Sequence, residues 1–461
     1  MNFGTDGVRG VAHEELTTEF AARLARAASR VLGSDRHGAD GRGTSTVVIG
    51  GDTRESTPAF DQALTEGFCA EGMDVIRLGV VPTPLVAFEA QRTGAMGAMV
   101  SASHNPFHDN GIKLFAPGGT KLPDHVEAEI EAELEVLASA GDGSPSSGQR
   151  SGSAAFDDFP EPTVVEVDGS SGYVDHVLRT LEGRRLDGLR IVLDTANGAA
   201  SVVAPAALRA AGADVIVVAD QPDGRNINAG CGATAPDFVA AAVVEHGADV
   251  GIALDGDADR LIAVDHHGSV VDGDHVIAIC AVDLRERGLL AYDTVVVTVM
   301  TNLGFKLAME SAGIDVVVTG VGDRYVLEAL GAGAFSLGGE QSGHVIFADH
   351  ATTGDGLLTA LTLLDVVKRA DRPLADIASE AMTSLPQVLV NVRVANRVPD
   401  VAELMAADVA RVEAELGATG RVLLRASGTE PLIRVMVEAP TAELARSAAD
   451  SLAGIARSRF T

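Results

Sequence analysis

Short runs of Val, Ile, Leu and Ala alternate with alanine-rich amphipathic stretches through most of this chain, and most runs end in a polar loop containing glycine. No other feature constrains the fold as much. Runs this short, bounded by glycine, read as buried strands, and the amphipathic stretches between them read as helices. Strand–helix alternation predicts layered α/β domains with largely parallel sheets. In such sheets ligands gather beyond the carboxyl ends of the strands, so the loops after strands carry the functional argument.

Strands are expected at 46–49, 75–78 and 95–100, then an acidic helix at 124–138. Residues 141–162, rich in Ser, Gly, Pro and Asp, read as a linker. A second group of strands is expected at 189–194, 214–218 and 249–254, and a third at 261–264, 294–300, 315–319 and 335–337. The tail differs, with strands at 388–394, 421–424 and 433–438 between helices at 401–416 and 441–456. The expected domains are therefore 1–155, 156–255, 256–372 and 373–461, three α/β units and a smaller C-terminal α+β unit. The length of 461 residues suits several cores rather than one.

A net charge of −30 sets the chain against nucleic acid and anionic membrane surfaces, and the absence of Trp removes the main stacking platform for single strands. Only four lysines occur, Lys113, Lys121, Lys306 and Lys368, so each is informative. Cys69, Cys231 and Cys280 are too scattered for a disulfide framework or a metal site, which makes a reducing cytoplasm the expected compartment. Neither a secretory signal pattern nor a membrane-spanning run is evident.

The loop after 249–254 reads Asp255-Gly-Asp-Ala-Asp-Arg260. Three carboxylates at alternate positions repel one another unless a cation neutralises them, and they would leave coordination positions open on a hard ion such as Mg²⁺. A calcium-binding EF-hand is excluded, because its glycine position holds Arg260 and its glutamate position holds His266. After 95–100 comes SASHNPFHDNGIK, with Ser103, His104 and then Lys113. The segment RASGTEP, 425–431, combines Arg425 with Ser427, Gly428 and Thr429, and Arg434 follows. Small residues, hydroxyls and guanidinium groups together suit a phosphate dianion. In GGEQSGH, 338–344, Glu340, Ser342 and His344 can bond polyol hydroxyls. Gly322, Asp323 and Arg324 form a polar loop of the same kind, and Arg9 lies between glycines in FGTDGVRG, 3–10.

Five segments in this order, FGTDGVRG, SASHNPFHDNGIK, DGDADR, GGEQSGH and RASGTEP, resemble the α-D-phosphohexomutase superfamily, and most closely its bacterial phosphoglucosamine mutases. TANGA, 195–199, and GRNINAGCG, 224–232, are similar to the second-domain signatures, although Ala233-Thr-Ala departs from the expected pattern. The resemblance implies four domains around a central cleft. It implies a phosphoserine at Ser103, which would also ligate one Mg²⁺ per subunit together with Asp255, Asp257 and Asp259, with Arg260 near the metal and phosphate. Arg9, His104 and Lys113 would assist catalysis. Gly322, Asp323, Arg324, Glu340, Ser342, His344, Arg425, Ser427, Gly428, Thr429 and Arg434 would bind a hexosamine phosphate, primed by glucosamine 1,6-bisphosphate. A homodimer is compatible with it. Which of Arg9, His104 and Lys113 moves the proton stays open. A phosphomannomutase/phosphoglucomutase of the same superfamily is the alternative enzyme, and a non-catalytic sugar-phosphate-binding protein the alternative class.

Overall fold

The computed structural model describes residues 3–4, 6–33, 46–139, 161–427 and 430–461. The linker read at 141–162 lies, up to residue 160, outside them. The chain divides into two compact units, one of residues 1–299 and 315–378, the other of residues 300–314 and 379–461.

The first unit holds three mixed sheets. The first contains β1 (Val8–Val11), β2 (Thr46–Gly51), β3 (Asp74–Val80), β4 (Met96–Val100), β5 (Asp109–Phe115) and β6 (Val164–Glu166), in the order β1-β5-β4-β2-β3-β6. Strands β2 and β4 are buried almost throughout, which is why their sequences are continuous apolar runs without alternation. The second sheet, β7 (Arg190–Asp194), β8 (Asp214–Val218), β9 (Val250–Leu254), β10 (Leu261–Asp265) and β11 (Val270–Val271), is ordered β11-β10-β9-β7-β8. The third, β12 (Thr294–Thr298), β13 (Asp315–Thr319), β14 (Leu337–Gly339) and β15 (Val345–Phe347), is ordered β13-β12-β14-β15.

The expected α/β architecture is present, with three differences from the sequence reading. Residues 261–264 belong to the second sheet, where β10 pairs antiparallel with β9, so the limit expected at 255/256 falls instead after Val271. The DGDADR loop is too short for the crossover of a dozen or more residues that a parallel neighbour requires, and it can only be a hairpin. Residues 109–115, read as part of a polar turn, form β5 against β4 and β1. Strand β1 itself is only Val8-Arg9-Gly10-Val11, with an arginine and a glycine at its centre, a pattern that hides a strand.

The second unit carries a wholly antiparallel sheet, β16 (Gln387–Arg393), β17 (Arg421–Ala426) and β18 (Leu432–Glu438), ordered β16-β18-β17. The helix Ala442–Phe460 packs on it through Ala445, Ala449, Leu452, Ala453 and Ala456, and Thr441 caps its start by accepting from Leu444 N. Among the described residues, no helix is long and apolar enough to cross a membrane.

Within the first unit, Asp355 caps the helix Gly356–Ala370 through Leu358 N at 2.9 Å and accepts from the Tyr173 hydroxyl at 2.9 Å on each oxygen. Tyr173 belongs to the helix Ser170–Leu178, so this buried contact ties the second α/β layer to the third. Burial pushes the Asp355 carboxyl up to about 6, with the Leu358 amide and Tyr173 hydroxyl opposing the shift. A raised acid pKa means that the native state holds the proton longer than the unfolded chain. The stabilisation is complete below the unfolded value and is lost as pH rises through about 6. Asp355→Asn is therefore expected to gain on the wild type by on the order of 1–2 kcal/mol between pH 5 and 7.5. Paired thermal melts across that range check it; a pH-independent difference would contradict it.

Candidate active site

The serine loop begins where β4 ends. Ser101 Oγ donates to Asp52 Oδ2 at 2.7 Å and accepts the Ser103 amide at 2.9 Å. Ser103 has φ 52°, a left-handed backbone unusual for serine that must be held from outside. Arg54 does much of the holding. Its fully buried guanidinium donates to the carbonyls of Ser103, Asn105 and Asp109 at 2.9 Å each, to the carbonyl of Pro106, and to Asp52 Oδ2 at 2.8 Å. Asn228, from the second α/β layer, adds bonds to the Ser103 and Asn105 carbonyls at 2.9 and 3.2 Å. With its backbone so fixed, Ser103 donates its hydroxyl to Asp255 Oδ2 at 2.6 Å.

Asp255, Asp257 and Asp259 lie buried in the β9–β10 hairpin loop, each offering one oxygen within 4.8 Å of the others. Besides Ser103, two neighbours already claim part of this charge. Lys113 Nζ, projecting from β5, is 2.8 Å from Oδ2 of Asp257 and of Asp259. Thr83 donates its hydroxyl to Asp257 Oδ2 at 2.6 Å, and its amide to the Asp257 carbonyl at 2.9 Å. Asp257 Oδ1 and Asp259 Oδ1 are left buried without a hydrogen-bond partner. Burial, with Asp259 and Asp257 close by, pushes Asp255 up to about 8. Crowded carboxylates, two orphaned oxygens and an all-oxygen donor set fit a hard divalent cation.

The other expected residues around Ser103 are also brought in. His104 Nδ1 is 3.3 Å from Ser103 Oγ, and burial, followed by Arg260 and Arg9, lowers the imidazole to about 4. Arg9 donates to the Ala102 carbonyl at 3.4 Å and is paired with Asp6. Arg260 Nε lies 3.8 Å from Asp259 Oδ1, and the Arg260 amide donates to Asp255 Oδ1 at 3.2 Å.

The loops of the third sheet divide. Glu340 accepts the Gly322 amide at 3.2 Å, joining the two polar loops, while Ser342 is exposed. Gly343, at φ +90°, sits so close to β10 that an added Cβ would come within 2.0 Å of the Leu261 carbonyl oxygen, so only glycine seats this loop on the second sheet. His344 is buried, with Nε2 3.3 Å from Asp323 Oδ2 and Nδ1 3.7 Å from Asp259 Oδ1; the latter is beyond hydrogen-bond reach but close enough for charge pairing. Asp323 is also paired with Lys121. Arg324 turns to the first α/β layer, bonding Asp124, Glu127 and the Gly4 carbonyl. Its guanidinium is thus committed to that layer.

In the C-terminal unit, Arg425 on β17 pairs in register with Arg434 on β18. Burial, then the charge of Arg434, lowers Arg425. Among the described residues no carboxylate pairs with either. Ser427 is buried beyond the end of β17, its hydroxyl accepting the Glu430 amide at 3.3 Å. Gly428 and Thr429 lie outside the described residues. Two neighbouring guanidinium groups without a carboxylate partner among the described residues suit an anion.

Asp6, Asp52, Arg54, Thr83, Ser101, Lys121 and Asn228 were not anticipated in these positions. Lys121 had a usable signal in the scarcity of lysine, and Asp6 sits inside a quoted motif. Asn228 also sits inside a quoted motif, GRNINAGCG, but its reach to carbonyls far away in sequence has no local mark, and Arg54 had no signal of either kind.

Four family models match the chain in order. Domains I, II and III of phosphoglucomutase/phosphomannomutase match residues 1–140, 171–268 and 272–385, and the C-terminal domain of the same enzymes matches 389–455. A Frankia casuarinae protein named phosphoglucosamine mutase is 55% identical over 459 residues, covering 99% of this chain and 98% of the relative. A Thermobifida fusca protein of the same name is 52% identical over 461 residues, covering 100% and 98%. The crystal structure of a phosphoglucomutase/phosphomannomutase family protein from Burkholderia thailandensis shares the fold at TM-score 0.78 and 22% identity, over 98% of this chain and 97% of that one. With four family models matching in order and relatives matching from end to end, the chain belongs to the phosphoglucomutase/phosphomannomutase family.

Proposed function

We propose that this chain is a phosphoglucosamine mutase, interconverting glucosamine 6-phosphate and glucosamine 1-phosphate through a phosphoserine at Ser103. The observation that carries the reading is the 2.6 Å contact between Ser103 Oγ and Asp255, with two further buried aspartates beside it. The names of the relatives support the choice of an amino-sugar substrate. Asp255, Asp257 and Asp259 would hold one Mg²⁺, which when bound neutralises charge on the phosphoryl group being transferred.

The chain's own residues supply position and charge. In the forward direction the phosphorus–Oγ bond of phosphoserine 103 breaks and a bond to the 1-hydroxyl oxygen of the sugar forms. The sugar hydroxyl proton leaves to a nearby base, and the departing Ser103 Oγ takes up a proton to become the free hydroxyl. His104, next to Ser103 Oγ, is in place to exchange that proton. Lys113, held as an ammonium among carboxylates, and Arg9 would stabilise charge instead. The resulting 1,6-bisphosphate then turns and returns its 6-phosphoryl group to Ser103. The same bisphosphate would prime an unphosphorylated enzyme.

Turning requires grips that serve both orientations. Arg425, Ser427, Gly428, Thr429 and Arg434 are assigned to the phosphate that is not reacting, and Glu340 and Ser342 to the sugar hydroxyls. Gly322 would act through Glu340, and Asp323, Arg324 and His344 through the ion pairs that seat these loops.

Ser103→Ala is expected to lower turnover by roughly 10³-fold or more with the fold intact, and to remove a phosphate found on the purified protein by peptide mass spectrometry. Phosphate at Ser101 alone would contradict the assignment. With bisphosphate primer present, kcat/KM is expected to favour glucosamine phosphate over mannose phosphate. A preference for mannose phosphate by about tenfold would move the chain to the sister activity.

A further inference from the structure

The buried ion pairs around the aspartates form a chain of alternating charge from Asp259 to Asp323, and His344, whose Nε2 also accepts the Gly354 amide at 3.1 Å, joins its ends into a ring. Asp259 meets Lys113 at 2.8 Å, Lys113 meets Asp6 at 2.9 Å and Asp6 meets Lys121 at 2.8 Å. Lys121 is paired with Asp323, Asp323 meets His344 at 3.3 Å, and His344 returns to Asp259 at 3.7 Å. The ring draws on the first layer (Asp6, Lys113, Lys121), the β9–β10 loop (Asp259) and the loops of the third sheet (Asp323, His344). It touches the polyol loop as well, since Gly322, next to Asp323, donates its amide to Glu340.

Such a ring shares cations. Lys113 has three carboxylates within 2.9 Å, and Asp6 has Lys113, Lys121 and Arg9. How fully Lys113 neutralises Asp257 and Asp259 depends on how much of Asp6 is already satisfied by Lys121, and that depends on Asp323. In a low-dielectric site these charges cannot be rearranged independently.

We propose that Lys121 and Asp323 are positioning residues that set the affinity of the aspartate loop for its divalent cation by controlling how much of Lys113 that loop retains, while anchoring the loop that carries Gly322 beside Glu340. This rests on the reading of Asp255, Asp257 and Asp259 as a metal site. Without Lys121, Asp6 draws Lys113 away and the loop becomes more anionic. Without the Asp323 charge, Lys121 satisfies Asp6, and Lys113 settles on the loop.

Mn²⁺ binding to the full-length protein, followed by electron paramagnetic resonance or calorimetry, tests this. Asp257→Ala should abolish binding. If the wild type binds no Mn²⁺, or Asp257→Ala binds as well as it does, the metal reading itself falls and the ring proposal with it. Given binding, Lys121→Met is expected to tighten the Kd and Asp323→Asn to weaken it, each by roughly threefold or more, with Lys121→Arg close to wild type. A change in the same direction in both variants would indicate mere loosening and overturn the proposal. The effect of Lys121→Met should vanish in a Lys113→Met background, or in Asp6→Asn if the former does not fold. Persistence there would make it a through-space charge effect, and the ring would be wrong. KM for glucosamine 6-phosphate should rise in both single variants, because the loop beside Glu340 loses its anchor.

Discussion

Three buried carboxylates in one short hairpin loop are the constraint around which the rest of the first unit is arranged. Left alone they would repel one another and shed charge by taking up protons, as the raised Asp255 shows. The fold meets the problem with a lysine from β5, a threonine hydroxyl from the start of the helix Thr83–Thr93 and the hydroxyl of Ser103. None of these comes from the strands that carry the aspartates. The site therefore exists only when the first and second sheets are assembled, and buried charge and domain packing are one problem.

The serine loop shows how the scaffold makes that contact reproducible. A left-handed Ser103 would relax if its neighbours allowed it. Arg54 removes the option by holding a run of carbonyls from inside the protein, and Asn228 holds two of the same carbonyls from the next layer. An arginine is suited to the task because one rigid fork offers five donors, which lysine cannot match. The C-terminal unit solves a different problem, keeping Arg425 and Arg434 side by side without carboxylate partners among the described residues.

What could be read from the sequence follows from how local each signal is. The aspartate loop was legible because its chemistry and spacing lie within six residues, 255–260, after a recognisable buried run. The hairpin it makes was equally implicit in that brevity, yet the periodic reading carried 261–264 into the next domain. Lys113 stood out through rarity, but its partner Asp6, which it shares with Lys121, is defined only by the meeting of β1, β5 and the loop after it. Arg324 looked like a ligand-facing cation, and in the fold it bonds Asp124, Glu127 and a carbonyl, since nothing in a three-residue polar turn says which way a long side chain leaves. Motif order carried the family, whereas the supporting contacts needed coordinates.

The account stands or falls on whether Ser103 and the aspartate trio share a cation. Anomalous diffraction from crystals of the phosphorylated protein grown with Mn²⁺ tests this most directly. A single strong peak enclosed by Asp255, Asp257, Asp259 and an oxygen of phosphoserine 103 is the expected result. A well-ordered, fully phosphorylated site with its metal peak elsewhere, or with Lys113 still filling the space between the carboxylates and no peak at all, would contradict it.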